Sequence, residues 1–586
     1  MNKIFRINMT ELTVNWEDLP KKYSELGGRG LTSNIIYDEV DPTCDALDSQ
    51  NKFVVAPGFI TGTNAPTSGR LSVGAKSPLT GTIKEANAGG LSPQKLGRLG
   101  IRALIIEGMP QWNDWYNIYI TKEKCEIVKA NEYAGMGLYK LIEKLWEKYP
   151  NKPGIFGCGL AGQKLMLSAG IFGNNPDNTD PGRYAARGGL GAVLGSKKVI
   201  AIIVDDSGTT RLKPQNQEMF DIGRKKLVKG LVQHEAKEAL ADYGTEGLMN
   251  VMNESGGLPT RSWHRGHFSK ADKISGEVIH ELVAQTKKKF PKSQARTGWP
   301  CNPGCVIACA NKVPYPLDHK KAGEVHVSTL EYETAMALGS LCEIDSLYHL
   351  AELNRICNDL GVDTIETGNT IALAMEAGLL EFGDGAAAVD LLNKIASDEP
   401  IGLLLGLGAL RFGQAYGIST KVAHAKGQSL PAFDPRPLKG IGITYATSPQ
   451  GGDHTAGYTI FSEVEGVNPV DPMDTKKGEL SRFYQSFTAF IDSIGYCLFT
   501  AYSLLDIPSA MEGMLETAKA MLNLDYLDIE EYGMKILKLE REFNKKAGFT
   551  KKHDRIPKFF YEIPLPPHNV VFDVLEDEIR KVFSDD

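Results

Sequence analysis

The sequence predicts an α+β protein in which a β-rich N-terminal part, residues 1–212, precedes two mainly helical parts, 213–425 and 426–586. Short apolar runs bounded by Gly, Pro, Asn and Asp fill the first third, which is the pattern of strands between turns. Beyond residue 213 apolar residues recur every three or four positions, the period of helices with one buried face. A Pro-rich segment, Leu430-Pro-Ala-Phe-Asp-Pro-Arg-Pro-Leu438, opens the last third.

Taken in order, strands are expected at Phe53-Val-Val-Ala-Pro, Ala103-Leu-Ile-Ile-Glu, Tyr116-Asn-Ile-Tyr-Ile and Val199-Ile-Ala-Ile-Ile-Val. Between them lie Gly27-Gly-Arg-Gly-Leu31, Thr61-Gly-Thr-Asn-Ala-Pro-Thr-Ser-Gly-Arg70, Asn87-Ala-Gly-Gly90 and Ala185-Ala-Arg-Gly-Gly-Leu-Gly191. None has the Lys-Ser/Thr of a phosphate loop, and none reads as a G-x-G-x-x-G opening a helix after a strand. Each alone reads as a tight turn between strands. Together with Arg70, Arg183 and Arg187 they also suit a bed for an anionic cofactor. Helices are expected around Lys225–Val232, Leu350–Asn358, Thr370–Ala377 and Met514–Met521. No repeat of fixed period appears.

Composition narrows the classes. With 65 Lys+Arg against 72 Asp+Glu the net charge is −7, which argues against nucleic-acid binding as the main task. The 42% hydrophobic and 23% charged residues are those of a globular chain. The segment Met1-Asn-Lys-Ile-Phe-Arg-Ile-Asn-Met-Thr10 lacks the apolar core of a secretory signal. No run of about twenty apolar residues is present to span a membrane. The expectation is a cytoplasmic protein whose nine cysteines stay reduced.

Three of those cysteines fall within nine residues, in Trp299-Pro-Cys301-Asn-Pro-Gly-Cys305-Val-Ile-Ala-Cys309-Ala-Asn311. Thiolates this close hold a cluster or a metal, and a reducing compartment sets the disulfide reading aside. A [4Fe–4S] cluster needs a fourth ligand from elsewhere, and a structural zinc also wants four N/S ligands. Spacing alone leaves both open, and plain burial of the thiols as well. Pro303-Gly304 breaks the backbone after the first thiol, while Val306-Ile-Ala is expected to turn helically and put Cys305 and Cys309 on one face.

Three further segments carry chemistry. In Glu331-Tyr-Glu-Thr334 residues two apart diverge on a helix, so one carboxylate faces a cavity and the other solvent or a cap. Thr447-Ser-Pro-Gln-Gly-Gly-Asp-His-Thr455 presents one histidine on a glycine-flexed loop. Ile491-Asp-Ser-Ile-Gly-Tyr-Cys-Leu-Phe-Thr500 holds Cys497, which on its own reads as a small buried hydrophobe.

These segments, with Pro66-Thr-Ser-Gly-Arg70, Cys357-Asn-Asp-Leu-Gly-Val-Asp-Thr364, Pro431-Ala-Phe-Asp-Pro-Arg436 and Gly440-Ile-Gly-Ile-Thr-Tyr445, occur in an order that resembles the aldehyde:ferredoxin oxidoreductases. Those enzymes hold tungsten between two pterins beside a [4Fe–4S] cluster, and the resemblance covers nearly the whole chain. It implies that the β-rich part is the pterin-binding base. It further implies that Cys301, Cys305, Cys309 and Cys497 bind the cluster. The pterins would be met by two D-x-x-G-type segments: Asn358, Gly361 and Asp363, with Asn in place of the leading Asp, and Asp492 with Gly495. Gly89, Arg187 and Gly188 belong to the same cofactor bed, Arg70 matches an arginine between cluster and pterin, and Asn87 matches the residue near a Mg²⁺ joining the pterin phosphates. Glu333 and His454 match the carboxylate and histidine near the metal.

The sequence departs from the family in one spacing: three residues, not two, separate Cys301 from Cys305. Some relatives also hold a metal between subunits through Glu and His. Glu352 matches the Glu, but no His lies between His349 and His424, so no such site is expected. The chain ends soon after Phe572-Asp-Val-Leu-Glu576, which is expected to open the substrate entrance or leave room for a partner.

The resemblance implies oxidation of an aldehyde to its acid with water, two electrons leaving through the cluster to ferredoxin or a ferredoxin-like subunit, in a possible homodimer. Glu333 is expected to take the proton from water and His454 to hydrogen-bond the carbonyl oxygen. The alternative is a relative acting as a low-potential reductase of an acid or aromatic substrate in a larger complex. A cofactor-free or zinc-stapled scaffold is the non-enzymatic option. Neither the aldehyde nor the choice of tungsten over molybdenum is legible, because the metal's sulfur ligands come from the pterins.

Overall fold

The computed structural model describes residues 3–177 and 180–584, so Met1 and Asn2 of the N-terminal segment lie outside the described residues. Two six-stranded sheets form the first third. The first holds β1 (Lys3–Asn8), β2 (Thr13–Asp18), β3 (Phe53–Pro57), β4 (Leu71–Lys76), β5 (Ile83–Ala88) and β6 (Ile101–Glu107), in the order β2-β1-β6-β3-β4-β5. The second holds β7 (Tyr116–Ile120), β8 (Cys125–Lys129), β9 (Gly154–Cys158), β10 (Ile171–Gly173), β11 (Arg183–Ala185) and β12 (Val199–Val204), in the order β11-β10-β9-β12-β7-β8.

The central strands β3, β6 and β12 are rich in apolar residues because both faces of each sheet are covered there, whereas the edge strands β2 and β8 are half-buried to exposed. On β3, Phe53 and Val55 face one way and Val54 and Ala56 the other, as a period of two requires. Phe53 and Val55 join Ile118, Phe156 and Ile202 of the second sheet in a shared core. Val54 and Ala56 pack under Leu31, Ile35 and Ile36 of the helix Gly28–Glu39. The outer face of the second sheet is covered by Leu141, Ile142 and Leu145 of the helix Leu138–Lys148. The result is helix, sheet, sheet, helix.

Two glycine segments expected as turns instead lead into helices. Gly27 is the N-cap of Gly28–Glu39, and Gly189 is the N-cap of Leu190–Ser196, which follows β11. The reason in the first case is tertiary. A Cβ on Gly28 would lie 2.0 Å from the Asp492 carbonyl oxygen, so the backbone enters this helix against the far end of the chain.

The remaining residues are mostly helical and share one apolar core, from Phe220 through Met336, Ile371 and Ile441 to Phe490 and Leu537. A small antiparallel sheet, β13 (Arg296–Trp299), β14 (Ala310–Pro314) and β15 (Val325–Val327), interrupts them, and its β13–β14 connection is the cysteine run. That connection is not helical. Ala308 adopts φ 57° and β14 begins two residues later, so the expected helical turn at 306–308 is absent.

The β-rich and helical parts lock at two pairs of glycines. Gly495, at φ 98°, ends the helix Gly478–Ile494, and a Cβ on Gly58 just after β3 would meet its Cα at 2.2 Å. Gly361, at φ 78°, ends the helix Leu347–Leu360, and a Cβ on Gly159 just after β9 would lie 3.0 Å from its Cα. Each sheet thus sets one glycine against the left-handed end of one helix, where a side chain would be strained and obstructed. Among the described residues no single helix is long and apolar enough to cross a membrane.

Candidate active site

The edge strands β5 and β11 meet, and above them opens a cavity of about 370 Å³. Into it project the cysteine run, both helix-end glycine segments, Glu331 and Glu333, and the His454 loop.

The thiols sit on one side. Cys301, Cys309 and Cys497 line the cavity, and Cys305 reaches the Cys301 thiol. Backbone bonds bring their three segments together. Gly90 N–H donates to the Cys301 carbonyl at 3.0 Å, Thr67 N–H to the Gly304 carbonyl at 2.9 Å, and Cys497 N–H to the Thr67 carbonyl at 3.1 Å. Pro303-Gly304 makes the turn that accommodates the extra residue, with Gly304 at φ 90° and exposed. Donors face the sulfurs: Asn302 Nδ2 lies 3.2 Å from Cys301 Sγ, and Ala308 N 3.3 Å from Cys305 Sγ. The Cys305 thiol, followed by Arg183 and Arg70, holds Cys301 well below the usual thiol range against the effect of burial. Burial pushes Cys309 and Cys497 up. All nine cysteines are free. Among the described residues no three side chains converge as ligands of a single ion. A cubic cluster binds each cysteine at a different iron, so its ligands need not converge on one point.

Arg70 bridges this side to the sheet. Its Nε donates to Asn87 Oδ1 at 2.7 Å, and Ser72 faces Asn87 across β4 and β5. Gly89 leaves the room: a Cβ there would lie 3.1 Å from Arg70 Nη1 and 3.5 Å from Cys301 Sγ. Burial opposes the Arg70 cation, yet Cys497, Cys301 and Asp492 raise it above its ordinary value. Asp492 itself is pushed well up by burial and by Glu85.

On the opposite wall Arg187 is fixed by Asp363 Oδ2 at 3.1 Å and by the carbonyls of Gly452 and Ser429 at 2.8 and 2.6 Å. Gly188, at φ 85°, leaves space for Lys84, whose Nζ reaches Asp453 Oδ2 at 2.7 Å. Asp363 also caps the helix Thr364–Glu376. Asn358 accepts the Tyr184 hydroxyl through its carbonyl at 2.6 Å, and its side-chain Nδ2 has no partner.

Glu333 and His454 meet across the cavity, with Nε2 3.3 Å from Oε1. Glu333 Oε2 accepts the Ala432 N–H at 2.9 Å, and the Tyr332 hydroxyl donates to the Ala432 carbonyl at 2.8 Å, so one segment holds both side chains. Burial raises the Glu333 carboxyl to about 8 and lowers the His454 imidazole to about 4. Near neutrality the proton therefore stays on the carboxyl and the imidazole is neutral. Phe433 and Tyr458 flank the histidine, each with ring centroids at 6.0 Å.

Glu331 does not face solvent. Its Oε2 accepts the Thr245 hydroxyl at 2.6 Å beside Cys309, so both glutamates line the cavity. Glu331 is the N-cap position and lies before the helix, which frees it from the helical divergence expected of the pair. Glu352 does meet a histidine, but an upstream one: His326 Nε2 lies 2.6 Å away, outside the 349–424 window. Sequence reading passed over Lys84, Asp453 and Tyr458. The Asp preceding His454 and a lysine inside the buried strand β5 were the available signals.

Several buried donor-bearing atoms on the cavity wall have no partner: Arg183 Nη2, Thr329 Oγ1, Asn358 Nδ2 and Thr488 Oγ1. Orphaned donors at this density mark a place built for a polar, anionic guest.

The chain is similar to known proteins over nearly its whole length. Residues 4–206 match the family model "Aldehyde ferredoxin oxidoreductase, N-terminal domain", and 223–583 match "Aldehyde ferredoxin oxidoreductase, domains 2 & 3". The chain is 34% identical to the tungsten-containing aldehyde ferredoxin oxidoreductase of Pyrococcus furiosus, over 94% of this chain and 89% of that protein. It is 27% identical to the WOR-like subunit of an aliphatic sulfonate oxidoreductase of the same organism, over 94% and 87%. Among solved structures, the active-site complex BamBC of benzoyl coenzyme A reductase shares the fold, with TM-score 0.77, 18% identity, and coverage of 100% of this chain and 93% of that one. The chain belongs to the aldehyde ferredoxin oxidoreductase family.

Proposed function

We propose that this protein oxidises an aldehyde to the carboxylic acid with water, using a tungsten bis-pterin centre and a [4Fe–4S] cluster and passing electrons to ferredoxin or a ferredoxin-like subunit. The observation that carries the reading is that Glu333 and His454 face the same cavity as Cys301, Cys309 and Cys497, Arg70 and two helix-end glycine segments. The orphaned donors on its wall suit phosphate-bearing pterins. When bound, the metal accepts the two electrons of the aldehyde and the cluster passes them on singly.

The chain's own residues do the rest. Arg70 is a fixed cation between thiols and sheet, placed to neutralise two anionic groups at once. Arg187, Gly188, Asn358, Gly361 and Asp363 line one pterin position, and Asp492 and Gly495 the other. Asn87 Oδ1 keeps a second lone pair for Mg²⁺. Glu333, once deprotonated, takes a proton from water, while His454 presents Nε2 toward the substrate oxygen. The reading assigns the cofactor bed to 1–212, the cysteine run and Glu333 to 213–425, and His454 and Cys497 to 426–586. Gly304 is exposed and Cys305 half-buried, which suits a cluster held by this run that would hand electrons to a carrier docked there.

Anaerobic metal analysis tests this. The expected result is about four irons and one tungsten per chain, and about one zinc without iron would overturn it. Cys497→Ser is expected to lose iron and the cluster's spectrum while the protein stays folded, and unchanged iron would remove Cys497 as fourth ligand. Turnover with viologens in both directions separates aldehyde oxidation from the reductive alternative.

A further inference from the structure

Oxidising an aldehyde with water releases two protons into a cavity closed on most sides, and the reading above leaves their exit unassigned. A line of titratable groups runs from that cavity outward. Tyr458 lines the cavity with its ring at 66° to that of His454. Its hydroxyl donates to Glu465 Oε1 at 3.0 Å, and the Tyr502 hydroxyl donates to Glu465 Oε2 at 2.6 Å. Glu465 is half-buried and precedes exposed Gly466. The Tyr502 ring lies 6.0 Å from that of His234, whose Nε2 is 3.1 Å from Asp506 Oδ2 at the surface.

We propose that Glu465, reached through Tyr458, is the proton exit of this cavity. A proton arriving at the Tyr458 hydroxyl displaces the hydroxyl's own proton onto Glu465 Oε1. The half-buried carboxyl then releases it to solvent beside exposed Gly466. Only O–H and N–H bonds are exchanged, and no electron moves.

The chemistry of the position fits such a carrier better than a brace. A structural carboxylate in an apolar surround is expected to have a cation, and among the described residues none is paired with Glu465. It has only two neutral hydroxyls, with Tyr484 and Tyr332 as the next titratable neighbours and Glu333 acting on Tyr458 from the cavity side. Burial lifts its carboxyl to about 7 against the pull of those two hydrogen bonds, so it loads and unloads near neutrality.

The test rests on the aldehyde-oxidase reading and uses the holoenzyme. Glu465→Gln keeps shape and both tyrosine contacts but carries no exchangeable acid proton, and Tyr458→Phe keeps the ring but removes the hydroxyl. Each is expected to lower kcat by about 10-fold or more, with KM little changed. In each the break in the kcat profile near pH 7 disappears, while the limb that Glu333 sets at about 8 stays, and the solvent deuterium isotope effect grows. The double variant should be no worse than either single one, because both interrupt one route. Infrared spectra without substrate should show a carboxylic-acid band titrating at about 7 beside that of Glu333 at about 8, and Glu465→Gln should remove only the first. A merely structural role would lower kcat without moving the pH profile or the isotope effect. If wild type oxidises no aldehyde, the parent reading falls. If it does, and both variants keep its pH profile and isotope effect, or the infrared band is absent, the exit route alone falls.

Discussion

Glu333→Gln is expected to lower kcat by about 10²–10⁴-fold, the range for removing a positioned general base, and to leave the metal content the same as in wild type. The glutamine oxygen can still accept the Ala432 N–H, so the segment at 431–433 keeps its place. What is lost is the oxygen facing His454. The pH profile carries the sign. The base acts in its deprotonated form, and burial holds the Glu333 proton up to about 8. Activity should therefore climb about tenfold per pH unit below 8 and level off above it. His454 stays neutral across that range and adds no limb. In the glutamine variant the climbing limb is gone. A variant that turned over at the wild-type rate with full cofactor would remove Glu333 as base.

Glu540→Ala is expected to be the most damaging single change to stability away from the cavity, at about 3–5 kcal/mol, the cost of stranding one member of a buried ion pair. Arg29 and Glu540 are 1% and 0% exposed, paired through two bonds of 2.9 and 2.8 Å, and Ser33 adds a third to the carboxylate. Removing the carboxylate leaves the Arg29 cation in the interior near Glu85 and Asp492, which repay only part of the loss. Urea unfolding followed by circular dichroism should show a markedly lower midpoint. A shift equivalent to less than about 1 kcal/mol, as for a surface pair, would contradict the account. The pair joins the helix Gly28–Glu39 to the helix Ile529–Lys546, so the damage reaches the contact between the β-rich part and the end of the chain.

What could be read in advance followed from locality. The strands β3, β7 and β12 were legible because they are buried on both faces and read as unbroken apolar runs. The helix at Gly28 was not, since Gly27 offers no capping side chain and the constraint comes from Asp492. The turn at 306–308 was misread because Ala308 gives up helical geometry where the 305–309 loop packs on Thr67. Within the site, residues in short motifs were found through family resemblance. Lys84–Asp453 was hidden because its partners are 369 residues apart. His326–Glu352 is not legible because its partners are 26 residues apart, one on a strand and one on a helix. Tyr458 and Glu465 lie outside every motif that was quoted, and only the folded chain shows that they touch.

The glycine pairs Gly58–Gly495 and Gly159–Gly361 also govern when this protein can be completed. Each sheet is made early in synthesis, but the glycine that closes the cavity against it comes later, in the second case from the middle of the chain and in the first from near its end. A ribosome-bound chain that has not yet released Gly495 has half a bed and no cavity. A chain truncated before that glycine would also lack Cys497, Leu498 and Phe499 of the cavity wall.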